Sequence, residues 1–226
     1  MKNKYILVLV FIFISFTGYA QEEAVEKSPG LMVFGVPQYI LTNGLRIDFD
    51  LHKKGTQNWI VLSPYYYSDN SSADLLNLGG SDEYFDVYNY DKLTGAGLGI
   101  LKKTFLSKKS LTEGFYLAYG GSYKYFDIDG NSYTWIEFTG TDGLVYQKMA
   151  DLKYDLYIHS INANAIIGYQ LEANPSLFFD FFCGFGLRYS IHSSPQNVTT
   201  KYNRGYYDYG YTGTQFIAGL RVGILL

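Results

Sequence analysis

The sequence predicts an all-β fold: a single antiparallel up-and-down transmembrane β-barrel of about eight strands. Three observations predict it. The 226 residues include 24 Tyr, 16 Phe and 2 Trp, or 19% aromatic, whereas only 17% are charged, against about 25% in an ordinary soluble domain. Long stretches alternate apolar with small or polar residues at a period of two, which marks strands with two unlike faces. The connections between those stretches alternate short and long, the pattern of short periplasmic turns and long extracellular loops. The same composition excludes other classes. Disordered chains are charge-rich and poor in aromatics, and Tyr, Phe and Gly do not build helical bundles. An acidic balance with no basic patch excludes a nucleic-acid partner.

The chain begins MKNKYILVLVFIFISFTGYA. Lys2 and Lys4 are followed by an apolar run from Tyr5 to Phe16, and Gly18 and Ala20 supply small residues at a cleavage site. Residues 1–20 therefore read as a signal peptide cut before Gln21; the run is too short for a membrane-spanning helix. Its removal takes two lysines and no acid from 18 basic and 21 acidic residues, leaving 16 basic and a net of −5. The lone Cys183 excludes an internal disulfide. Residues 21–30 form a polar, flexible lead-in, and 31–226 form the barrel domain.

The strands are expected at 31–40, 44–52, 58–68, 93–106, 113–126, 154–171, 177–191 and 214–226. Pro37 lies inside the first and leaves its face assignment ambiguous, and Asn43-Gly44 supplies a hairpin turn after it. In the second, Leu45, Ile47, Phe49 and Leu51 oppose Arg46, Asp48, Asp50 and His52. In the fifth, Phe115, Leu117, Tyr119, Tyr123 and Tyr125 oppose Tyr116, Ala118, Gly120, Ser122 and Lys124. The seventh sets Phe179, Phe181, Cys183, Phe185, Leu187, Tyr189 and Ile191 against Asp180, Phe182, Gly184, Gly186, Arg188 and Ser190. The last sets Phe216, Ala218, Leu220, Val222, Ile224 and Leu226 against Gln215, Ile217, Gly219, Arg221 and Gly223. Short turns fall at 53–57, 107–112 and 172–176, and long loops at 69–92, 127–153 and 192–213.

The composition of the second face decides which side is outside. A soluble barrel hydrates its outer face with Lys, Glu and Asp. Here that face is mostly Gly, Ala, Ser and Asn, with Gly95, Gly97 and Gly99 together on one strand and Ser160, Asn162 and Asn164 on another. Small residues suit the cramped lumen of an eight-stranded barrel. The Phe-, Leu- and Ile-rich face suits lipid, and Tyr65, Tyr66, Tyr67, Tyr123, Tyr125 and Tyr189 near strand ends match interfacial aromatic girdles. On this pattern, over residues 31–226, the chain resembles the small eight-stranded outer-membrane β-barrel proteins of Gram-negative bacteria, the OmpA/OmpX-like group. The resemblance implies the cell outer membrane as location and its lipid as surroundings. Such barrels usually end in an aromatic residue, whereas this chain ends Gly223-Ile224-Leu225-Leu226.

The inward charges expected from the alternation are Arg46, Asp48, Asp50, Lys124, Asp180, Arg188 and Arg221, a nearly neutral ionic set. It reads as a structural core of a narrow barrel rather than a conduction path. His159 and Ser160 point to opposite faces, so they form no base–nucleophile pair. A rim set of Asp155, His192 and Ser193 resembles an acid, base and nucleophile if the sixth and seventh strands pair Asp155 with Ser193, with ordinary polar rim residues as the reading preferred. No histidine spacing matches a metal motif, and no cofactor is expected.

The outer loops carry acids, among them Asp69, Asp74, Asp82, Glu83, Asp86 and Asp91, then Asp127, Asp129, Glu137, Asp142 and Asp151. The last loop carries Tyr202, Tyr206, Tyr207, Tyr209 and Tyr211. Two readings stand side by side: binding of a protein partner in the envelope or outside it, or of divalent cations among lipopolysaccharide head groups, against packing of the loops above the barrel. Lys53, Lys54, Lys102, Lys103, Lys108 and Lys109 read as a solvated rim at the turn end. The expected function is that of a non-enzymatic integral outer-membrane barrel serving envelope structure or partner binding. The alternatives are a rim-located lipid-modifying enzyme, a narrow small-solute channel and a soluble lipocalin-like carrier.

Overall fold

A computed structural model describes residues 30–54, 56–70, 90–107, 110–195, 202–203 and 208–226, with backbone alone at 132–134 and 136. The leader 1–20, the lead-in up to residue 29, the acids Asp74, Asp82, Glu83 and Asp86, the lysines Lys108 and Lys109, and Tyr206 and Tyr207 lie outside the described residues. Eight strands follow in order: β1 Leu31–Gly35, β2 Gly44–His52, β3 Asn58–Asp69, β4 Tyr90–Phe105, β5 Gly114–Thr139, β6 Val145–Asn174, β7 Leu177–Ser193 and β8 Gly213–Leu225. Each pairs antiparallel with its neighbours in sequence, and β1 pairs with β8, which closes the barrel. The segments containing residues 53–57, 106–113 and 175–176 mark one end, called here the turn end, where Leu226 also meets Leu31.

The expected alternation holds around the wall. Arg46, Asp48 and Asp50 point in and Leu45 and Leu51 out; Gly95, Gly97 and Gly99 face the lumen, as do Ser160, Asn162 and Asn164. Two of the lumenal aromatics lie flat on glycines. Tyr116 covers Gly168 and Phe34 covers Gly223, positions where a Cβ would collide with the ring. Those glycines admit large rings into a lumen that would otherwise be too narrow for them.

Three expectations are corrected. The first strand stops at Gly35 instead of reaching residue 40. Pro37 has no N–H for the ladder and a fixed φ, so Pro37–Thr42 forms a 3-10 turn, closed by Asn43 in the left-handed region at φ 53. The span 127–153 is not a long loop. β5 and β6 continue through it as a two-stranded ribbon, Thr139 opposite Val145, reversing at 140–144 with Gly143 at φ 80. From Asn131 and Lys153 outward the ribbon has no further strand beside it among the described residues. Among the described side chains there neither face is fully buried, so the apolar–polar contrast that reveals a strand fades, although Tyr133 to Thr139 is rich in aromatic and β-branched residues. Finally, Tyr65 and Tyr67 are buried in the lumen and only Tyr66 of that trio faces out. Three consecutive strand residues cannot share a face.

Candidate functional site

The lumen divides into two halves. Toward the turn end lies a charge cluster built from four strands. Arg46 donates from Nε and Nη2 to the two oxygens of Asp48 at 2.7 and 2.8 Å. Arg221 bridges Asp48 at 3.0 Å, Asp50 at 3.1 Å and Asp180. Lys103 donates to Asp50 and Asp180, each at 3.1 Å, and to the side-chain Oε1 of Gln170. The Tyr116 hydroxyl donates to the other oxygen of Asp180 at 2.6 Å. Three cations thus meet three carboxylates, and aromatic rings enclose them: Lys103 lies 4.2 Å from the Tyr116 ring centre and Arg221 4.6 Å from that of Phe34. Buried charges persist when paired and hydrogen-bonded, and this arrangement blocks the lumen with side chains.

The expected ionic set is changed in membership. Arg46, Asp48, Asp50, Asp180 and Arg221 join as expected. Lys103, read as a rim residue, is 1% exposed and belongs at the centre of the cluster. Its position on β4, two residues from Leu101 and four from Gly99 on the lumenal face, is the period-two signal that finds it. Lys124 and Arg188 point inward but stand apart from that cluster, in the other half.

That other half holds a cavity of about 220 Å³. Arg46, Lys124 and Arg188 line it, with Asn162, Asn164, Gln215 and Gln38, and no carboxylate is among its lining residues. Lys124 rests 4.5 Å from the Tyr65 ring centre and 5.5 Å from that of Tyr39, a cation held by π faces. The Asn162 Oδ1 accepts from Arg188 Nε at 2.9 Å and Gln215 Nε2 at 3.3 Å, while its buried Nδ2 has no partner among the described residues. Above the cavity is an aromatic layer in which Tyr209 packs 4.9 Å from Phe126 and 6.3 Å from Tyr67, and Tyr202 bonds Tyr154 at 2.8 Å. Among the described loop tyrosines, packing above the barrel is what is found. Burial pushes the Tyr209 hydroxyl up to about 12.

The wall beside this cavity is incomplete. β1 meets β8 only from Met32↔Leu225 to Gly35↔Val222. Where an eighth strand contact would continue, the 3-10 turn lies instead, with Tyr39 turned toward Arg46 and Lys124 and with Gln38 against Gly219 of β8. On its β1 side, β8 from Gly213 to Arg221 has no strand partner among the described residues.

The rim set is not assembled as expected. β6 and β7 pair Tyr157 with Ser193 and Ile158 with His192, two residues away from the register that would set Asp155 opposite Ser193. The reversal at 175–176 lies further along than a turn centred near Asn174. His192 and Ser193, consecutive in β7, point to opposite faces. The Asp155 backbone carbonyl instead accepts from Ser194 Oγ at 2.7 Å.

On the outer surface, the outward positions of β2 (45–51), β3 (60–66), β4 (94–100), β5 (115–125), β6 (157–171), β7 (177–191) and β8 (214–224) carry no Asp, Glu, Lys or Arg. Tyr125 stacks on Tyr157 and Tyr123 bonds His159 at 2.6 Å toward the loop end. Phe115 packs on Tyr169, and Lys102 lies over Tyr119, toward the turn end. Lys53 and Lys54 are exposed at the rim there.

No family model matches this chain, and no curated protein matches it. A solved structure is similar. It is the crystal structure of Acinetobacter baumannii CarO, with a TM-score of 0.38 and 11% identity over 90% of this chain and 100% of that one. At that score the likeness adds nothing to what the chain's own residues establish.

Proposed function

We propose that this chain is an integral outer-membrane barrel that binds rather than conducts. The observation that carries the reading is the charge-free outer belt, in which Leu98, Ile161, Phe185 and Phe216 stand exposed with aromatic residues toward both edges. In water such a belt is an aggregation surface; in a bilayer it is the lipid-facing band of a membrane barrel. The cluster of Arg46, Asp48, Asp50, Lys103, Asp180 and Arg221 stands across the lumen, which argues against passage along the axis. The cavity above it is read as a binding volume, in a role taken to be non-enzymatic. The β5–β6 ribbon supports a second, compatible role in contact with a partner. Trp135, Leu144, Val145 and Met149 are exposed on it, and Trp135 opposite Met149 offers an apolar face far from the belt.

The test is fractionation of the cell envelope together with gel migration before and after heating. The expected result is recovery with the outer membrane, detergent-dependent solubility, heat-modifiable migration and planar-bilayer conductance no greater than background. Recovery as a monomer in detergent-free buffer would refute membrane insertion, and steady single-channel steps would refute the closed lumen.

A further inference from the structure

Resting on the membrane reading, we propose that the lumenal cavity is a binding site for an anionic single-chain amphiphile that enters sideways from the membrane through the gap between β8 and β2. Four observations meet at this site. The first is the wall. From Gly213 to Arg221, roughly 30 Å of strand at about 3.4 Å per residue, the β1 side of β8 presents backbone with no strand beside it among the described residues. An open sheet edge facing hydrocarbon is not tolerated unless protein covers it or it borders a polar cavity. Both devices are present, the 3-10 turn across the gap and the cavity behind it. The gap lies within the lipid-facing belt, because Phe216 pairs with Phe185 and Leu220 with Phe181 across β7 and β8.

The second observation is the mouth. The residues that border the cavity include Phe216 and Ala218, which point outward on β8, as well as inward residues such as Gln215 and Ile217. The volume therefore borders the unpaired edge of β8 at the gap. The third is charge. Lys124 is 7% exposed and has no carboxylate within ion-pair distance among the described residues. The buried Nδ2 of Asn162 lacks an acceptor among the described residues, and Arg188 also lines the cavity. In the plugged half every cation has its carboxylates; here Lys124 meets the Tyr39 hydroxyl and aromatic faces, and no carboxylate among the described residues lines the cavity. An anionic oxyacid head, carboxylate or phosphate, supplies acceptors to Lys124 and Asn162 together.

The fourth is size. A cavity of about 150 Å³ takes benzene, so one of about 220 Å³ takes roughly nine heavy atoms by proportion. That is a head and the first carbons of a chain. The remaining carbons must leave by the gap and lie along Phe216 and Ala218, where Ile40 and Leu41 of the 3-10 turn are also exposed. Leu101, Ile166 and Phe182 provide an apolar floor for the carbons inside. Among the described residues the ionic cluster lies below the cavity and the aromatic layer above it, which favours the side opening as the way in.

The experiment uses the full mature chain in phosphatidylcholine nanodiscs, with carboxyl-labelled ¹³C laurate followed by NMR against empty nanodiscs. The expected result is a saturable bound carboxyl signal, displaced by dodecyl phosphate but not by dodecanol or inorganic phosphate. Lys124→Met and Ala218→Trp, the first removing the head's partner and the second filling the mouth from outside, each weaken laurate by roughly tenfold or more. Heat-modifiable migration confirms that each variant is folded and inserted. The proposal is overturned if the inserted barrel shows no saturable site, if inserted Lys124→Met or Ala218→Trp binds as wild type does, or if inorganic phosphate displaces laurate. A chain that binds laurate but stays off the nanodisc overturns the membrane reading and the sideways entry while leaving the cationic head site. A chain that inserts and does not bind overturns the site alone.

Discussion

Asp180→Asn perturbs the lumenal charge cluster at the carboxylate shared by Lys103, Arg221 and Tyr116. Asp180 is fully buried and accepts from Lys103 Nζ at 3.1 Å, from the Tyr116 hydroxyl at 2.6 Å and from Arg221. The substitution keeps the shape but takes the cluster from balance to one excess positive charge, and it turns one acceptor into an NH₂ donor among three donors. Tyr116 can rotate its hydroxyl to accept from that amide; Lys103 and Arg221 have no acceptor to offer. Breaking a buried pair by removing one partner costs about 3–5 kcal/mol, more than a hundredfold in the folded-to-unfolded ratio. Lys103→Met placed in the same chain restores neutrality, with Arg46 and Arg221 facing Asp48 and Asp50. The double variant should therefore recover part of the loss, a coupling that distant sites do not show. The assay is urea unfolding in lipid vesicles, read from the heat-modifiable band, with Asp142→Asn at the exposed ribbon tip as control. A loss under about 1 kcal/mol for Asp180→Asn, or simple addition of the two single losses, would refute the claim that these charges act as one neutral unit.

Two further outcomes are expected. Phe185 is outward-facing in the belt and packs edge-on against Phe216; Phe185→Lys should cost about 2–4 kcal/mol in the same vesicle assay, and an unchanged midpoint would place that face in water. At the ribbon tip, hydrogen bonds from the Tyr146 hydroxyl and then the Leu144 N–H hold the Asp142 carboxyl below its ordinary value. Its contribution to local order is therefore present above the unfolded carboxylate pKa and lost as pH falls through the depressed one. A ¹³C carboxyl titration should show that low midpoint, rising in Tyr146→Phe; equal midpoints would remove the tyrosine as the cause.

Much of the wall was legible in the residues themselves, because each strand has two unlike faces and side chains alternate between them. That rule places Asp180 and Arg221 inside and Phe185 outside with no knowledge of neighbours. It also contains Lys103, whose spacing from Gly99 puts it in the lumen; grouping it with nearby turn lysines by charge alone hid that. Tyr65 and Tyr67 were missed in the same way, when composition was read ahead of alternation. The β5–β6 ribbon was missed for a different reason. With neither face fully buried, its sequence carries no strong two-sided contrast.

Local sequence determined the all-β class, the order of strands, the apolar belt and which charges enter the lumen, since these depend only on spacing along one strand. What required the tertiary structure depends on register and closure between strands distant in sequence. It split the inward charges into a balanced cluster and a cationic cavity, because Lys103 on β4 reaches Asp50 on β2 and Asp180 on β7, while Lys124 on β5 reaches no carboxylate among the described residues. It separated Asp155 from Ser193 by a shift of two residues, a displacement that preserves every side chain's face and so leaves no trace in the alternation. Pro37 signalled that the first strand was troubled. Only the closed barrel, in which β8 outruns β1 by the stretch from Gly213 to Arg221, makes that troubled strand a gap in the wall, with the unmatched cation behind it.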